Sequence, residues 1–194
     1  MEIAWLGGDA LLLRGREARV LLAPSSVPVP SGVDIVVGGG GDGNLLRPDS
    51  GPQVVARPGE YELRGVTVHG VALPTGTAFV AIVDEVPVCN FGALPTEFPE
   101  DTVESIGVVD VLAVSLQGGA PGRAVSAAAL VGRLQPAVVV PVGFEPVEGG
   151  VPEALAAFIK EMGVGEVHPQ ARLTLSGFSG GSEDTRVVIL EPRR

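Results

Sequence analysis

The sequence predicts a layered domain of β-sheets covered by helices, of the α/β or α+β class. Valine-rich runs separated by Gly and Pro dominate the first half, and such runs are typical of many short strands. Two segments of the second half, 123–135 and 151–163, carry apolar residues at helical spacing. An order of strands first, and then strands alternating with helices, indicates sheets with helices packed on them.

The first half of the chain is predicted to consist of short strands and tight turns. A hairpin turns near Gly15, and further turns fall at 58–59 and 64–65 within a stretch that alternates in period two. Another hairpin turns at 84–85. The predicted strand segments are 2–15 paired with 18–23, then 33–37, 53–73 and 77–91.

The second half combines buried strands with helices. The helix predicted over 151–163 has Pro152 in its first turn and ends at Gly163, which is the usual punctuation of a helix. The other predicted segments are the helix over 123–135, buried strands at 109–116 and 136–144, a short helix or turn at 96–107, and a closing pair of strands at 171–179 and 185–191.

The size and composition of the chain favour one well-packed unit. The chain has 194 residues, which is long enough for a real core, and we predict a single domain over residues 1–194. Because 45% of the residues are apolar and 4% are aromatic, Val, Leu, Ala and Ile must build that core. Cys89 is the one cysteine, so an internal disulfide and a cysteine-based zinc cluster are excluded, and its apolar surroundings predict a buried thiol.

The charge of the chain excludes several kinds of partner. The formal net charge is -10, and apart from Arg193 and Arg194 the basic residues are scattered. A surface that follows phosphates needs clustered Lys and Arg, so we expect no nucleic-acid partner and no membrane partner. No apolar run approaches membrane-spanning length, and the N-terminus lacks the basic region of a signal peptide. We therefore expect a cytoplasmic protein.

Several sequence segments fall in one order along nearly the whole chain. They are WLGGDALLLRG, DIVV before a loop with Asp-x-Asn, PGEYELRGVTVHGV, TAFVAIVDEVPVCNFGAL, VDVLAVS, QPAVVVPVGFEP and the ending VVILEP. In this order they resemble the compact metallo-β-lactamase-fold hydrolases, a group that includes lactonase-like zinc-dependent enzymes. The resemblance implies an α+β fold, an αββα sandwich of two mixed sheets flanked by helices, with a metal site along one sheet edge.

The resemblance also implies which positions hold the metal ligands. In the family, the loop after the third strand carries His-x-His-x-Asp-His. Here the three histidine positions of that motif are Gly38, Gly40 and Gly43, and Asp42 alone is retained. The aspartate that bridges the metals in the family corresponds to Ala93. The last histidine, which follows a strand, corresponds to Gly143, and the histidine of the family's opening Trp-Leu-Gly-His motif corresponds to Gly8.

The remaining ligand types do not restore a zinc site. Zinc in proteins usually takes at least three imidazole, thiolate or carboxylate ligands. The chain has two histidines: His69 alternates with the apolar Val66 and Val68, and His168 precedes a proline after a helix. Neither pattern brings a histidine to Asp42, so we predict no bound metal and no other cofactor.

Two other chemistries stay open for the same region. The family fold would bring four carboxylates to one rim, because each lies near the end of one of the matched segments: Asp9, Asp42, Glu60 and Glu145. Carboxylates suit a hard cation such as magnesium, calcium or manganese. Each also has an ordinary role in a turn, loop or solvated strand face. Alternatively, the backbone N–H groups of the loop from Gly38 to Gly43 could bind a small anion.

Sequence motifs for other kinds of active site are missing. The glycine loop is not followed by the Lys-Ser/Thr of a P-loop, and its Gly-x-Gly-x-x-Gly pattern does not open a helix because Pro48 and Pro52 follow. Ser115, Ser126, Ser176 and Ser179 lie in no recognisable nucleophile elbow, so no catalytic residue is predicted.

The sequence therefore predicts a degenerate member of the family. It keeps the scaffold, has lost the metal site and metal-dependent hydrolysis, and acts in binding or assembly with a protein partner or a second copy of itself. The alternatives are a metal-dependent hydrolase with a rebuilt carboxylate site around Asp42, and a protein that binds a small anion at the glycine loop.

Overall fold

Thirteen strands and three helices occur in the part of the chain that the structure describes. A computed structural model describes residues 1–23, 27–38, 51–74, 76–92, 99–118, 121–147, 150–177 and 184–193. The strands are β1 Glu2–Gly7, β2 Ala10–Arg14, β3 Arg19–Leu22, β4 Ile35–Val37, β5 Gln53–Val55, β6 Gly59–Leu63, β7 Val66–Leu73, β8 Gly76–Val83, β9 Val86–Asn90, β10 Val111–Ser115, β11 Val138–Val142, β12 Leu173–Thr174 and β13 Arg186–Val187. The helices are α1 Glu100–Ile106, α2 Pro121–Leu134 and α3 Glu153–Glu161.

The first sheet has the strand order β12-β1-β2-β3-β4-β5. β12, β1, β2 and β3 pair antiparallel, and β3, β4 and β5 pair parallel. Leu11 and Leu13 of β2 face the main core, whereas Leu12 belongs to a smaller apolar cluster on the opposite face. Val33 and Val27, which precede β4, pack in that smaller cluster. The central strands are therefore uninterrupted apolar runs because both of their faces are covered.

The second sheet has the strand order β13-β11-β10-β9-β8-β7-β6. β6 to β9 form an antiparallel meander, and β9, β10, β11 and β13 run parallel. The turns at 64–65 and 84–85 have positive φ at both central residues, as two-residue hairpin turns require. These two predicted turns are confirmed.

The main core lies between the two sheets. It joins residues from β1, such as Ile3 and Trp5, to valines of β8 and β9, such as Val80 and Val88, all nearly or completely inaccessible to solvent. Two sheets that each bury one face in this way form a sandwich. Together with the helices, this arrangement confirms the predicted α+β sandwich of two mixed sheets.

The described helices pack on the second sheet and on one another. α1 contacts β7, α2 contacts β10, and α3 packs against α2. Leu155 and Phe158 form the buried face of α3. None of the helices that the structure describes is long and apolar enough to cross a membrane.

Two predicted pairings are wrong. The segment 2–15 is not one strand of a hairpin, because the chain turns at Gly8 and Asp9 and divides it into β1 and β2. Positive φ values of 101° at Gly7 and 50° at Gly8 make that extra turn. The closing segments do not pair with each other either: β12 pairs with β1 in the first sheet, and β13 pairs with β11 in the second.

Candidate functional site

The carboxyl ends of three parallel strands form the rim at which the family places its metal. β9 ends at Asn90, β10 at Ser115, and β11 at Val142, just before Gly143. The register pairs Ser115 with Val142, and Asn90 with Ala113, two residues before Ser115. Asn90, Ser115 and Gly143 therefore lie side by side at one edge of the second sheet.

The turn between β1 and β2 closes against this rim through backbone hydrogen bonds. The Gly143 N–H donates to the Gly8 carbonyl oxygen at 2.9 Å, and the indole N–H of Trp5 donates to the same oxygen at 2.7 Å. The side-chain amide of Asn90 donates to the Asp9 carbonyl oxygen at 3.1 Å. The first sheet is thus joined to the second at the edge where the family's ligands would stand.

The Asp9 side chain occupies the space between the turn and the rim. Asp9 is 7% exposed, and its Oδ1 atom has no hydrogen-bond partner among the residues that the structure describes. Burial raises the pKa of Asp9, and the Ser115 hydroxyl and the Arg123 guanidinium offset that rise only in part. Ser115 is also buried, and its Oγ accepts a hydrogen bond from the Gln117 N–H at 3.3 Å. A charged carboxylate is therefore costly at this position.

Gly143 is held in a conformation and a space that favour glycine. Its φ is 73°, in the left-handed region that side chains with a Cβ rarely adopt. A Cβ added to Gly143 would lie 2.7 Å from Asp9 Oδ1, 2.8 Å from Ser115 Oγ and 3.2 Å from the Gln117 nitrogen. The first two distances are shorter than any ordinary contact of a Cβ atom. A histidine at this family ligand position would require Asp9 and Ser115 to move.

Gly38, the first family ligand position, differs from Gly143 in its surroundings. Its φ is 78°, and its N–H donates to the Val55 carbonyl oxygen at 2.8 Å. An added Cβ would lie 3.6 Å from both Ala23 and the Phe79 ring, which is ordinary van der Waals contact. Phe79 is the register partner of Asn90, so Gly38 borders the same rim.

The other residues predicted for the site do not join this group in the described structure. Gly40, Asp42, Gly43 and Ala93 lie outside the described residues. Glu60 is exposed on the edge strand β6, where its register partner is His69, and three strands separate β6 from β10.

Two further residues of the sequence analysis lie on the surface. Glu145 is exposed, two residues beyond Gly143, and His168 is also exposed. The half-buried His69 lies on β7, as the alternation of its strand predicts.

The described residues do not fit a zinc ion. No group of three or more His, Cys, Asp or Glu side chains that could hold a metal occurs within the described ranges. Among the described residues at the rim, the side chains offer one carboxylate, from Asp9, with the amide of Asn90 and the hydroxyl of Ser115 beside it. Neutral amides and hydroxyls are poor zinc ligands compared with imidazole, thiolate or carboxylate.

The sequence analysis did not assign Asn90 and Ser115 to the site. Both are polar residues at the last position of an otherwise apolar strand, VPVCN and VLAVS. Because parallel strands end at the same sheet edge, that pattern is a signal for a shared polar cluster.

Comparison with known proteins identifies the family. The sequence profile of the beta-lactamase superfamily domain matches residues 2–143, which is most of the chain. The chain belongs to the metallo-β-lactamase superfamily. No match is found among curated proteins.

Solved structures share the fold. A Thermotoga maritima protein, proposed to be a zinc-dependent hydrolase of the metallo-β-lactamase superfamily, is 24% identical with a TM-score of 0.76, over 98% of each chain. Igni18, a metallo hydrolase from the hyperthermophilic archaeon Ignicoccus hospitalis, is 13% identical with a TM-score of 0.57, over 84% of this chain and 90% of its own. A Parabacteroides distasonis protein, proposed to be a metal-dependent hydrolase, is 12% identical with a TM-score of 0.61, over 95% of this chain and 91% of its own.

Substitution of Gly38 and of Gly143 by alanine tests whether Asp9 and Ser115 fill the space beside Gly143. Gly38→Ala should cost about 1–2 kcal/mol of unfolding free energy, because only the backbone is strained. Gly143→Ala should cost about 1–3 kcal/mol more, because its Cβ also meets Asp9 and Ser115. Urea unfolding of both variants measures the difference. Equal losses would contradict the close contact, and Asp9→Ala should recover part of the loss in Gly143→Ala.

The raised pKa of Asp9 predicts a specific pH dependence of stability. In the folded state this carboxyl binds its proton more tightly than in the unfolded chain, so its contribution to stability is complete below the ordinary pKa of 3.8 and is lost as pH rises through the folded pKa. Asp9→Asn should therefore gain stability relative to wild type between about pH 4 and pH 7. Urea unfolding across that range gives the measurement, and a difference that does not change with pH would contradict the prediction.

Asp84→Asn is the control with the opposite sign. Burial opposes ionisation of Asp84, yet the hydrogen bond from the Arg16 N–H and the N-terminal ammonium lower its pKa below 3.8. Its stabilising contribution is present above that value and is lost as pH falls through the folded pKa. Asp84→Asn should therefore be most destabilising near pH 7.

Proposed function

We propose that this chain is a non-catalytic member of the metallo-β-lactamase superfamily. It retains the sandwich, lacks the family's metal site and metal-dependent hydrolysis, and acts in binding or assembly with a protein partner or a second copy of itself. Membership of the superfamily supports the scaffold, and the residues at the rim support the loss of the site.

The observation that carries the proposal is the occupied space at Gly143. An absent ligand alone would leave room for a metal held by other residues. Here Asp9 Oδ1 and Ser115 Oγ already lie within 2.7 and 2.8 Å of the point where a side chain at position 143 would begin. Protein atoms thus take the position from which the family's last histidine would reach the metal. Backbone hydrogen bonds of Gly8 and Asp9 hold these residues against the described part of the rim.

Metal uptake tests the proposal. Purified protein is incubated in turn with zinc, manganese, iron and magnesium, excess metal is removed, and the bound metal is measured by mass spectrometry. We expect near-zero stoichiometry for all four, because the described rim lacks a ligand set.

The opposite outcome would support a rebuilt carboxylate site. Uptake of about one or two metals per chain that is abolished by Asp42→Ala would overturn the proposal and direct attention to lactone, ester and phosphodiester substrates. Asp101→Ala, which removes an exposed aspartate of α1, is the matched control and should leave any uptake unchanged.

A further inference from the structure

An apolar cavity lies beside the rim, between α3, the segment after β11 and the C-terminal segment. Its volume is about 250 Å³. Phe144 forms one wall and contacts Trp5 in a tilted arrangement, with ring centroids 4.7 Å apart and an interplanar angle of 47°, so the cavity adjoins the rim. Leu155 and Ile159 of α3 form a second wall, and Leu190 contributes to a third.

The walls of this cavity are largely apolar. Proline has no backbone N–H, and four prolines line the cavity: Pro146, Pro152, Pro169 and Pro192. The N–H of Glu191 is already used, because it donates to the Gln170 carbonyl oxygen at 2.9 Å. A ligand in the cavity therefore meets mainly apolar surface.

The charge at the cavity is negative. Glu191 is the ionisable residue among the described residues that line it, and its side chain is exposed. The N-terminus of α3 also meets the cavity at Pro152, but Glu153 in the first turn already complements the helix dipole there. Lys160 and Arg193 each follow a lining residue in the sequence, but neither of them lines the cavity. A cationic group is thus the complementary partner for the cavity mouth.

The described residues at the cavity include exposed apolar side chains. Val147 and Val151 line it and are 51% and 60% exposed, so they offer aliphatic surface that a partner can cover. A second copy of this chain is a poor occupant, because each copy carries a net charge of -10 and would bring its own acidic surface to Glu191.

We propose that this cavity is a docking site for a segment of a partner protein that presents one aliphatic side chain next to a lysine or arginine. The volume lies below the range of about 300–1,000 Å³ that is usual for small-molecule sites and suits a single anchoring side chain. The aliphatic group fills the cavity, and the cation meets Glu191. The inference rests on the proposed binding role, for which it supplies the location and the chemistry of the partner.

Short peptides test the docking site by NMR of the methyl groups. The probe is acetyl-Leu-Arg-amide, and the matched probes are acetyl-Leu-Glu-amide, which reverses the charge, and acetyl-Gly-Arg-amide, which removes the anchor. We expect acetyl-Leu-Arg-amide to shift the methyl signals of Val151, Leu155 and Leu190 with millimolar affinity. Both matched probes should bind more weakly, because each loses one of the two interactions.

Surface variants separate the contributions of the anchor and the charge. Val151→Glu should weaken binding about tenfold or more, because a carboxylate would enter the apolar mouth. Glu191→Gln should weaken it about threefold, as expected for an exposed ion pair. Val125→Glu is the matched control: Val125 is 53% exposed on α2 and does not line the cavity, so binding should be unchanged.

The outcomes distinguish this inference from the proposed function. Equal binding of the three peptides, no shift of the cavity methyls, or equal effects of Val151→Glu and Val125→Glu would overturn the docking site. Zinc content is measured on the same preparations. Metal uptake would overturn the loss of the metal site whatever the peptides do, whereas peptide failure on metal-free protein would overturn the docking site alone.

Discussion

The Gly8 carbonyl oxygen is the junction on which the rest of the site depends. It accepts hydrogen bonds from the Gly143 N–H and from the indole of Trp5, and in this way it fixes the β1–β2 turn of the first sheet against the end of β11 in the second. At the same turn, the buried Asp9 side chain has its Oδ1 2.7 Å from the point where a Cβ on Gly143 would lie. Trp5 also contacts the ring of Phe144, which lines the apolar cavity. The junction, the described part of the rim and the cavity are therefore neighbours connected through Trp5 and Gly143.

This junction joins the two sheets by hydrogen bonds and close packing. A dinuclear metal site joins the elements that surround it through strong ligand bonds, and such bonds contribute to folding as well as to chemistry. Here the same elements are joined by backbone hydrogen bonds and by close contact of Asp9 and Ser115 with a glycine. The cost is a buried carboxyl whose charged form is disfavoured.

Much of the fold could be predicted because its signals are local. The alternation in 53–73, the helix punctuation around 151–163 and the hairpin turn at 84–85 are properties of neighbouring residues, and each is confirmed. The errors concern long-range pairing: residues 171–179 and 185–191 both have strand character, but nothing in their sequences indicates that they join different sheets. The turn at Gly8 was missed because glycine adopts positive and negative φ about equally readily, so two consecutive glycines do not by themselves indicate a turn.

The sequence indicates which positions correspond to the family's metal ligands, but it does not indicate how the side chains around them are arranged. The family resemblance implies that Gly143 and Gly38 replace ligands, yet two glycines in the same backbone region look alike in a sequence. The structure distinguishes them, because polar atoms crowd Gly143 while Gly38 has ordinary neighbours. Asn90 and Ser115 are assigned to the site because the strand register places the ends of β9 and β10 next to each other.

The most direct test of the proposed loss of the metal site is a crystal structure of the protein grown with zinc, with anomalous diffraction recorded at the zinc edge. The predicted result is no anomalous peak near Gly143 and an Asp9 Oδ1 that still occupies the space where a Cβ on Gly143 would lie. A peak at the rim with Asp9 as a ligand would contradict the loss of the metal site.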